Sequence, residues 1–187
     1  MNRYPNFIEV RGIKYKINTD FRVALECDAI ARDSSIGEFE KCLAVIYKLL
    51  GEEAIQNYEN LAELLDLCIK YLHCGKDSSE LNDEKEPSMD FEQDQGYIRA
   101  SFMSDYHIDL DKVKMHWWCF CDLIQGLTEN SVLNRVRYVR EEPLTNKKGK
   151  ELESWIKRKK QVELKRKKTS YELELDKKWE EQMKKEW

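Results

Sequence analysis

Proline and glycine are scarce in this chain, with 3 prolines and 7 glycines among its 187 residues. Sandwiches and barrels depend on many turns, and these two residues make most turns, so the composition favours helices over such folds. No apolar run is long enough to cross a bilayer, and residues 1–6 lack the apolar core of a signal peptide. We therefore expect a mainly helical, soluble, intracellular protein.

Sequence signatures of catalysis are missing as well. The chain has no Walker loop, no Gly-x-Ser-x-Gly elbow, no His-Glu-x-x-His motif and no dinucleotide fingerprint. Two groups of possible zinc ligands occur: Cys68, His73 and Cys74, and His116, Cys119 and Cys121. However, Cys119 and Cys121 would point about 160° apart on a helix, and no Cys-x-x-Cys knuckle exists. Buried, reduced thiols are the favoured interpretation. We expect no enzymatic activity, no cofactor and no metal.

Local patterns divide the first part of the chain into a hairpin and three helices. Apolar and polar residues alternate over residues 7–17 about Arg11-Gly12, which predicts a β-hairpin. Thr19 or Asp20 is placed to cap a first helix. Helices are then predicted over residues 36–50 and 60–73, each ended by a glycine. Spacing predicts these inward residues for the second helix: Phe39, Leu43, Ile46, Tyr47 and Leu50.

The stretch from residue 90 to 140 is the most informative because it contains two adjacent tryptophans. A helix is predicted over residues 91–106, a second that carries the tryptophans, and a third over 129–141 capped by Thr128. Asp109 is predicted to cap the second helix. Four of its residues are predicted to form a core stripe: Trp117, Phe120, Ile124 and Leu127. Trp118 points about 140° from that stripe, so the helix needs apolar surroundings on two sides. Trp118 is predicted to lie at an interface or to be covered by the N-terminal hairpin or the tail. Trp118 and Met115 are the predicted partner contacts of this helix.

Charge divides the chain further. Residues 76–89 are acidic and polar, which predicts a loop within a core domain of residues 1–142. Residues 143–187 hold 15 Lys/Arg against 9 Asp/Glu, whereas residues 1–142 hold 17 against 27. Glu-to-Lys pairs four residues apart predict that residues 143–187 form a charged, flexible helical tail. This tail could be a solvated helix, a segment that orders on a partner protein, or a nucleic-acid-binding arm. Its predicted partner-binding residues are Tyr171, Leu175, Trp179 and Met183.

Four short motifs carry a family resemblance: Tyr97-Ile-x-Ala-x-Phe102, Tyr106-x-Ile-Asp-Leu110, His116-Trp-Trp-x-Phe120 and Leu123-x-x-Gly-Leu127. Together they resemble a family of siphophage proteins known by the gene-product number fifteen and encoded just before the tape-measure protein. The resemblance covers about residues 8–140, and its Trp-Trp block is the most specific part. Members of the family are considered to be tail assembly chaperones.

We therefore predict a mainly α fold, in which an N-terminal β-hairpin packs on about six helices and a charged C-terminal helical tail follows. The resemblance implies a tail assembly chaperone that binds the tape-measure protein and helps recruit the tail-tube protein. It also implies a location in the host bacterial cytoplasm and absence from the mature virion. A homo-oligomer and a pairing with a companion tail assembly chaperone both stay open.

The alternative function is a DNA-binding phage accessory protein that acts through the basic tail. Lys/Arg clusters at residues 157–160 and 165–168 could neutralise phosphates. Glutamates are interleaved with them and weaken the positive field, so nucleic acid is the less favoured partner.

Overall fold

The computed structural model of the protein describes residues 4–76 and 87–165. Within these ranges the chain forms a two-stranded antiparallel sheet and eight α-helices, which confirms the mainly α fold with an N-terminal hairpin. The elements are β1 Phe7–Val10, β2 Ile13–Lys16, α1 Phe21–Ala31, α2 Glu38–Leu50, α3 Glu52–Gln56, α4 Leu61–Leu72, α5 Gln95–Tyr106, α6 Trp117–Gln125, α7 Val132–Glu141 and α8 Gly149–Val162. The short α3 is not predicted by the helical spacing.

The hairpin forms where the alternating pattern predicts it. Arg11 and Gly12 both have positive φ, 49° and 81°, the combination that a tight two-residue turn between antiparallel strands requires. Val10 pairs with Ile13, and Ile8 pairs with Tyr15. Ile8, Val10 and Tyr15 are buried, and β1 contacts α4. The hairpin thus covers one end of the helical core.

The prediction for α2 is wrong in part. Phe39 and Tyr47 are 62% and 51% exposed. The buried side of α2 comprises Val45, Ile46, Leu49 and Leu50. Both α1 and α4 pack on α2, so its inward face is the side that carries these four residues, and Phe39 and Tyr47 lie off that side. The cap prediction for α1 is confirmed, since the Asp20 carboxylate accepts a hydrogen bond from the Arg22 N–H.

A stack of aromatic rings lies at the centre of the molecule. The Phe120 ring stacks on Phe21 at 4.8 Å and on Phe102 at 5.2 Å, which joins α6 to α1 and α5. All four residues predicted for the α6 stripe are buried: Trp117, Phe120, Ile124 and Leu127. The core prediction for this part of the chain is therefore confirmed.

The predicted cap of the tryptophan helix is wrong. Asp109 accepts the Asp111 N–H in a local turn, and α6 begins only at Trp117, with His116 as its N-cap. The backbone before α6 pairs instead with the start of α1, because the Phe21 N–H donates to the Met115 carbonyl and the Trp117 N–H donates to that of Thr19. These tertiary hydrogen bonds keep residues 113–116 out of the helix.

A smaller correction applies to α7. Its N-cap is Ser131, whose hydroxyl accepts the Asn134 N–H. The Thr128 N–H and hydroxyl bind the Asp105 carboxylate at 2.8 and 2.9 Å. Thr128 therefore ties the loop before α7 to α5, and the helix begins three residues later than the spacing predicts.

Contacts cross the predicted domain boundary at Pro143. The Tyr138 ring on α7 meets the Trp155 ring on α8 edge to face at 6.2 Å. Lys147 forms an ion pair with Glu142 at 2.8 Å, and its ammonium lies over the Trp155 ring. The division of the chain into residues 1–142 and 143–187 stays a prediction, but α8 packs on the core within the described residues.

Candidate functional site

His116 organises the start of α6. Its Nδ1 accepts the Trp118 N–H at 3.0 Å, so in the neutral ring the proton is on Nε2, which lies 3.0 Å from the Pro5 carbonyl. One imidazole therefore satisfies a free donor at the helix start and holds the segment that precedes the hairpin.

The two tryptophans of the motif bind the same helix end. The Trp117 indole N–H donates to the Leu72 carbonyl and the Trp118 indole N–H to the Tyr71 carbonyl, both at 2.9 Å. The last carbonyls of an α-helix have no partner within the helix. The Trp117 indole supplies a donor to the Leu72 carbonyl, and the Trp118 indole adds a second donor to the Tyr71 carbonyl, which also accepts the Cys74 N–H at 3.0 Å. The tryptophans point apart on α6, yet each is wide enough to reach α4. The His-Trp-Trp block is thus a structural junction of α6, α4 and the N-terminal segment.

Trp118 is half-buried by residues of its own chain. Its ring stacks on Tyr71 at 6.0 Å and meets Tyr4 edge to face at 6.4 Å. At Gly75, where φ is +84°, an added Cβ would lie 3.1 Å from the Trp118 ring, so only glycine fits there without adjustment. The Tyr4 hydroxyl donates to Asp122 at 2.6 Å, a bond that raises the pKa of Tyr4 to about 12. The prediction that Trp118 and the half-buried Met115 contact a partner stays a prediction.

A groove between α1 and α5 is a second candidate for a binding site, and it is more open to solvent than the His-Trp-Trp junction. Its volume is about 430 Å³, within the range of about 300–1,000 Å³ typical of ligand sites. Apolar side chains form its floor: Phe21, Leu25, Phe91, Ile98, Leu110 and Phe120. Charged side chains of both signs form its rim: Arg22, Glu26, Asp28, Arg32, Glu92, Arg99 and Asp111. This combination suits an amphipathic segment that presents apolar side chains between polar ones.

Ion pairs hold the rim in place. Arg32 bonds to Asp28 on α1 and to Asp90 just before α5, which links the two walls of the groove. Arg99 pairs with Asp111 at 3.1 Å. The groove is therefore bounded by residues whose charged groups are already engaged, and its apolar floor is the part that offers contact area.

A buried ion pair joins α5 to α7 behind the groove. Arg140 donates to both Asp94 carboxylate oxygens at 2.6 and 2.8 Å, and the Asp94 side chain is only 1% exposed. The same guanidinium donates to the carbonyls of Ser88 and Val162. Arg140 thereby connects α7, the start of α5 and the end of α8. Sequence reasoning missed this role because the two residues are 46 positions apart.

Four of the six cysteines have thiols whose pKa is shifted, two by burial and two by a mutual hydrogen bond. Burial raises the pKa of Cys27 and of Cys68 to about 12, which makes them unreactive core residues. A hydrogen bond between Cys74 and Cys121 lowers the pKa of Cys74 and raises that of Cys121. Among the described residues, no group of three or more histidines, cysteines or carboxylates is arranged to hold a metal ion.

Four predicted partner-binding residues fall outside the described ranges, namely Tyr171, Leu175, Trp179 and Met183. The acidic loop predicted at residues 76–89 lies largely outside them too, at residues 77–86. No helix in the described part of the chain combines the length and the hydropathy needed to cross a membrane.

Comparison with known families gives a match along most of the chain. The model of the family described as bacteriophage Gp15 protein matches residues 1–164. The chain belongs to this bacteriophage family. The match extends past the resemblance noted at residues 8–140 and includes α8, in agreement with the packing of α8 on α7. Comparisons with curated proteins and with solved structures gave no match.

Proposed function

We propose that this phage protein is a tail assembly chaperone that binds the tape-measure protein during tail morphogenesis and helps bring tail-tube subunits to it. Membership of the bacteriophage Gp15 family supports a role in building the phage particle. In this proposal the protein acts by binding, without catalysis. It works in the host bacterial cytoplasm and is absent from the mature virion.

The observation that carries the proposal is the groove between α1 and α5. A tape-measure protein is a very long helical chain whose apolar stripe would aggregate unless another protein covered it. Amphipathic helices bind in apolar grooves through side chains at successive turns. The apolar floor and the charged rim of this groove suit such a helix. Many weak contacts of this kind along one rod would add up through avidity.

The DNA-binding alternative depends on free cations, and four cations in or near the basic tail are already engaged, of which Lys159 belongs to the cluster at residues 157–160. Arg137 and Arg140 are hydrogen-bonded inside the fold, to Ser88 and Asp94. Lys147 pairs with Glu142, and Lys159 donates to the Arg140 carbonyl. Cations that are already paired contribute little to phosphate binding, because counterion release depends on charges that are free to neutralise phosphates.

Two matched substitutions test the site. Ala29 is an exposed residue of α1 that lines the groove, whereas Ala100 is exposed on α5 and does not line it. Ala29→Arg should place a long cation at the groove and reduce capture of co-expressed tape-measure fragments. Ala100→Arg adds the same charge elsewhere and should leave capture unchanged. Capture is measured by co-purification and by the soluble fraction of each fragment.

Two outcomes would count against the proposal. Equal capture by both variants would remove the groove as the binding site. Failure of the unmodified chain to solubilise any fragment, together with tight DNA binding at physiological salt, would favour the DNA-binding alternative. That binding would have to weaken steeply as salt rises.

A further inference from the structure

We propose that the exposed side of α2 binds the same side of α2 in a second copy of this chain, with the two helices antiparallel. The partner is an identical chain, and the interface has two-fold symmetry, the commonest arrangement among soluble homo-oligomers. This pairing goes beyond the proposed chaperone function and does not depend on it.

An apolar row on α2 is left uncovered by the fold. The row consists of Phe39, Leu43 and Tyr47, which follow one another at steps of four residues and therefore adjoin on the helix surface. Phe39 and Tyr47 are 62% and 51% exposed, and Leu43 is half-buried. Tyrosine and phenylalanine are enriched in protein interfaces, and contiguous exposed apolar groups mark such surfaces.

The apolar row is symmetric about its middle residue. Phe39 and Tyr47 lie four residues before and four residues after Leu43, which is about 6 Å along the helix axis on each side. In an antiparallel pair centred on Leu43, the Phe39 ring of each copy therefore faces the Tyr47 ring of the other. The two aromatic contacts are equivalent, as a two-fold interface requires.

The charges beside the row fit the same arrangement. Glu40 and Lys48 each directly follow an aromatic residue of the row, so both lie about 100° to the same side of it. Antiparallel pairing centred on Leu43 brings Glu40 of one copy to within roughly 3 Å, along the axis, of Lys48 of the other. A parallel pair would instead oppose like charges. The charge pattern therefore favours an antiparallel second copy of α2.

Both charged groups are accessible for this contact. Glu40 is exposed, and the half-buried Ala44 between it and Lys48 is small enough to let two helices approach closely. Lys48 pairs with Glu26 at 2.7 Å, but these side chains are 42% and 53% exposed. An exposed pair contributes little stability, and an ammonium has three donors. Lys48 can therefore bind Glu40 of the second copy as well.

The available area predicts a weak dimer. A fully buried aromatic side chain removes about 150–250 Å² from water, so four half-exposed rings from two copies offer roughly 300–600 Å². Stable interfaces bury at least about 1,200 Å², and smaller ones are transient. Association should therefore depend strongly on the concentration of the chain.

Sedimentation velocity on the full chain tests the pairing, over a concentration series that reaches roughly 1 mM, the Kd of a very weak complex. The sedimentation coefficient should rise from that of a monomer towards that of a dimer. Tyr47→Ser should raise the Kd about tenfold or more, as loss of a tyrosine anchor commonly does. The matched control is Tyr58→Ser, because Tyr58 is 76% exposed and lies between α3 and α4. It should leave the Kd unchanged.

Charge reversal identifies the second copy as the partner. Glu40→Lys gives the side of the row two cations, and Lys48→Glu gives it two carboxylates, so each variant alone should associate less than the unmodified chain. An equimolar mixture of the two variants should regain association, because every cation then meets a carboxylate. Glu40→Lys and Lys48→Glu in one chain should regain it too.

Circular dichroism of each variant checks that the helices are intact. A sedimentation coefficient that stays constant over the whole series would overturn the proposal. An equal effect of Tyr47→Ser and Tyr58→Ser, or a mixture of the charge variants that associates no more than either alone, would also overturn it.

Discussion

The ion pair between Arg140 and Asp94 gives the sharpest test of how this fold is held together. Arg140→Met keeps a side chain of similar length but removes the guanidinium. The Asp94 carboxylate would then stay buried at 1% exposure with one N–H donor, that of Asp90 at 3.0 Å, among the contacts of the described residues. The Ser88 and Val162 carbonyls would each lose a donor as well.

The expected cost is large for a single substitution. Removing one partner of a buried ion pair typically destabilises a protein by about 3–5 kcal/mol. For a chain of this size, each 1 kcal/mol lowers the melting temperature by about 2–4 °C, so a fall of roughly 6–20 °C is expected. Arg135→Met is the matched control, because Arg135 is exposed on the same helix, and it should change stability by no more than about 0.5 kcal/mol.

Urea unfolding followed by circular dichroism measures these differences in the free energy of unfolding. Asp94→Leu combined with Arg140→Met removes both charges and should recover part of the loss, since replacing a complete buried pair by apolar groups is often near neutral. Hydrogen exchange should also rise along α8 in Arg140→Met, because the Val162 carbonyl has lost its partner. A loss no greater than that of Arg135→Met would refute the reasoning.

The remaining predictions concern the tryptophan motif, one buried hydroxyl and one carboxylate. Trp117→Ala should cost about 3–5 kcal/mol because its ring is buried, whereas Trp118→Phe should cost about 1 kcal/mol, the worth of one hydrogen bond; equal losses in urea unfolding would contradict this difference. Tyr71→Phe should leave the melting temperature unchanged or raised, since the hydroxyl is buried with no partner among the described residues; a clear fall would oppose it. The ion pair with Lys147 lowers the pKa of Glu142, so its stabilisation is present above the ordinary glutamate pKa and is lost as the pH falls through the lowered value. Melting curves from neutral to acid pH should therefore show a smaller loss for Glu142→Gln than for the unmodified chain, and identical losses would argue against the pair.

Local patterns in the sequence determine much of the fold. The hairpin turn follows from Arg11-Gly12, because few residue pairs adopt two consecutive positive φ angles at low cost. The cap of α1 follows from Asp20, and the end of α2 follows from Gly51, whose φ is +87°. The buried stripe of α6 follows from helical spacing, since a period of 3.6 residues places those side chains on one face. These features depend on neighbours in the chain and can be predicted without the rest of the molecule.

Contacts between distant residues decide what the local patterns leave open. Asp109 is a good cap by type, yet α6 begins at Trp117, with His116 as its cap, because the backbone at Met115 and Trp117 pairs with the start of α1. Helical spacing predicts that Phe39 is inward, yet it is exposed, because α2 packs on α1 and α4 through the side that carries Val45, Ile46, Leu49 and Leu50. Which contact forms depends on the difference in free energy between competing partners. A single sequence shows which partners are available but does not give that difference.

The candidate site also combines features that the sequence predicts with features that only contacts between distant residues set. The sequence by itself determined that the chain is mainly helical, that it carries the motifs of its phage family, and that its adjacent tryptophans require apolar surroundings on two sides. Only the tertiary structure decided that both indoles bind the end of α4, that Arg140 binds Asp94, and that α1 and α5 leave an apolar groove between them. The physical reason is distance along the chain: residues 45–47 positions apart meet only when the whole core has packed, so no local periodicity records their contact.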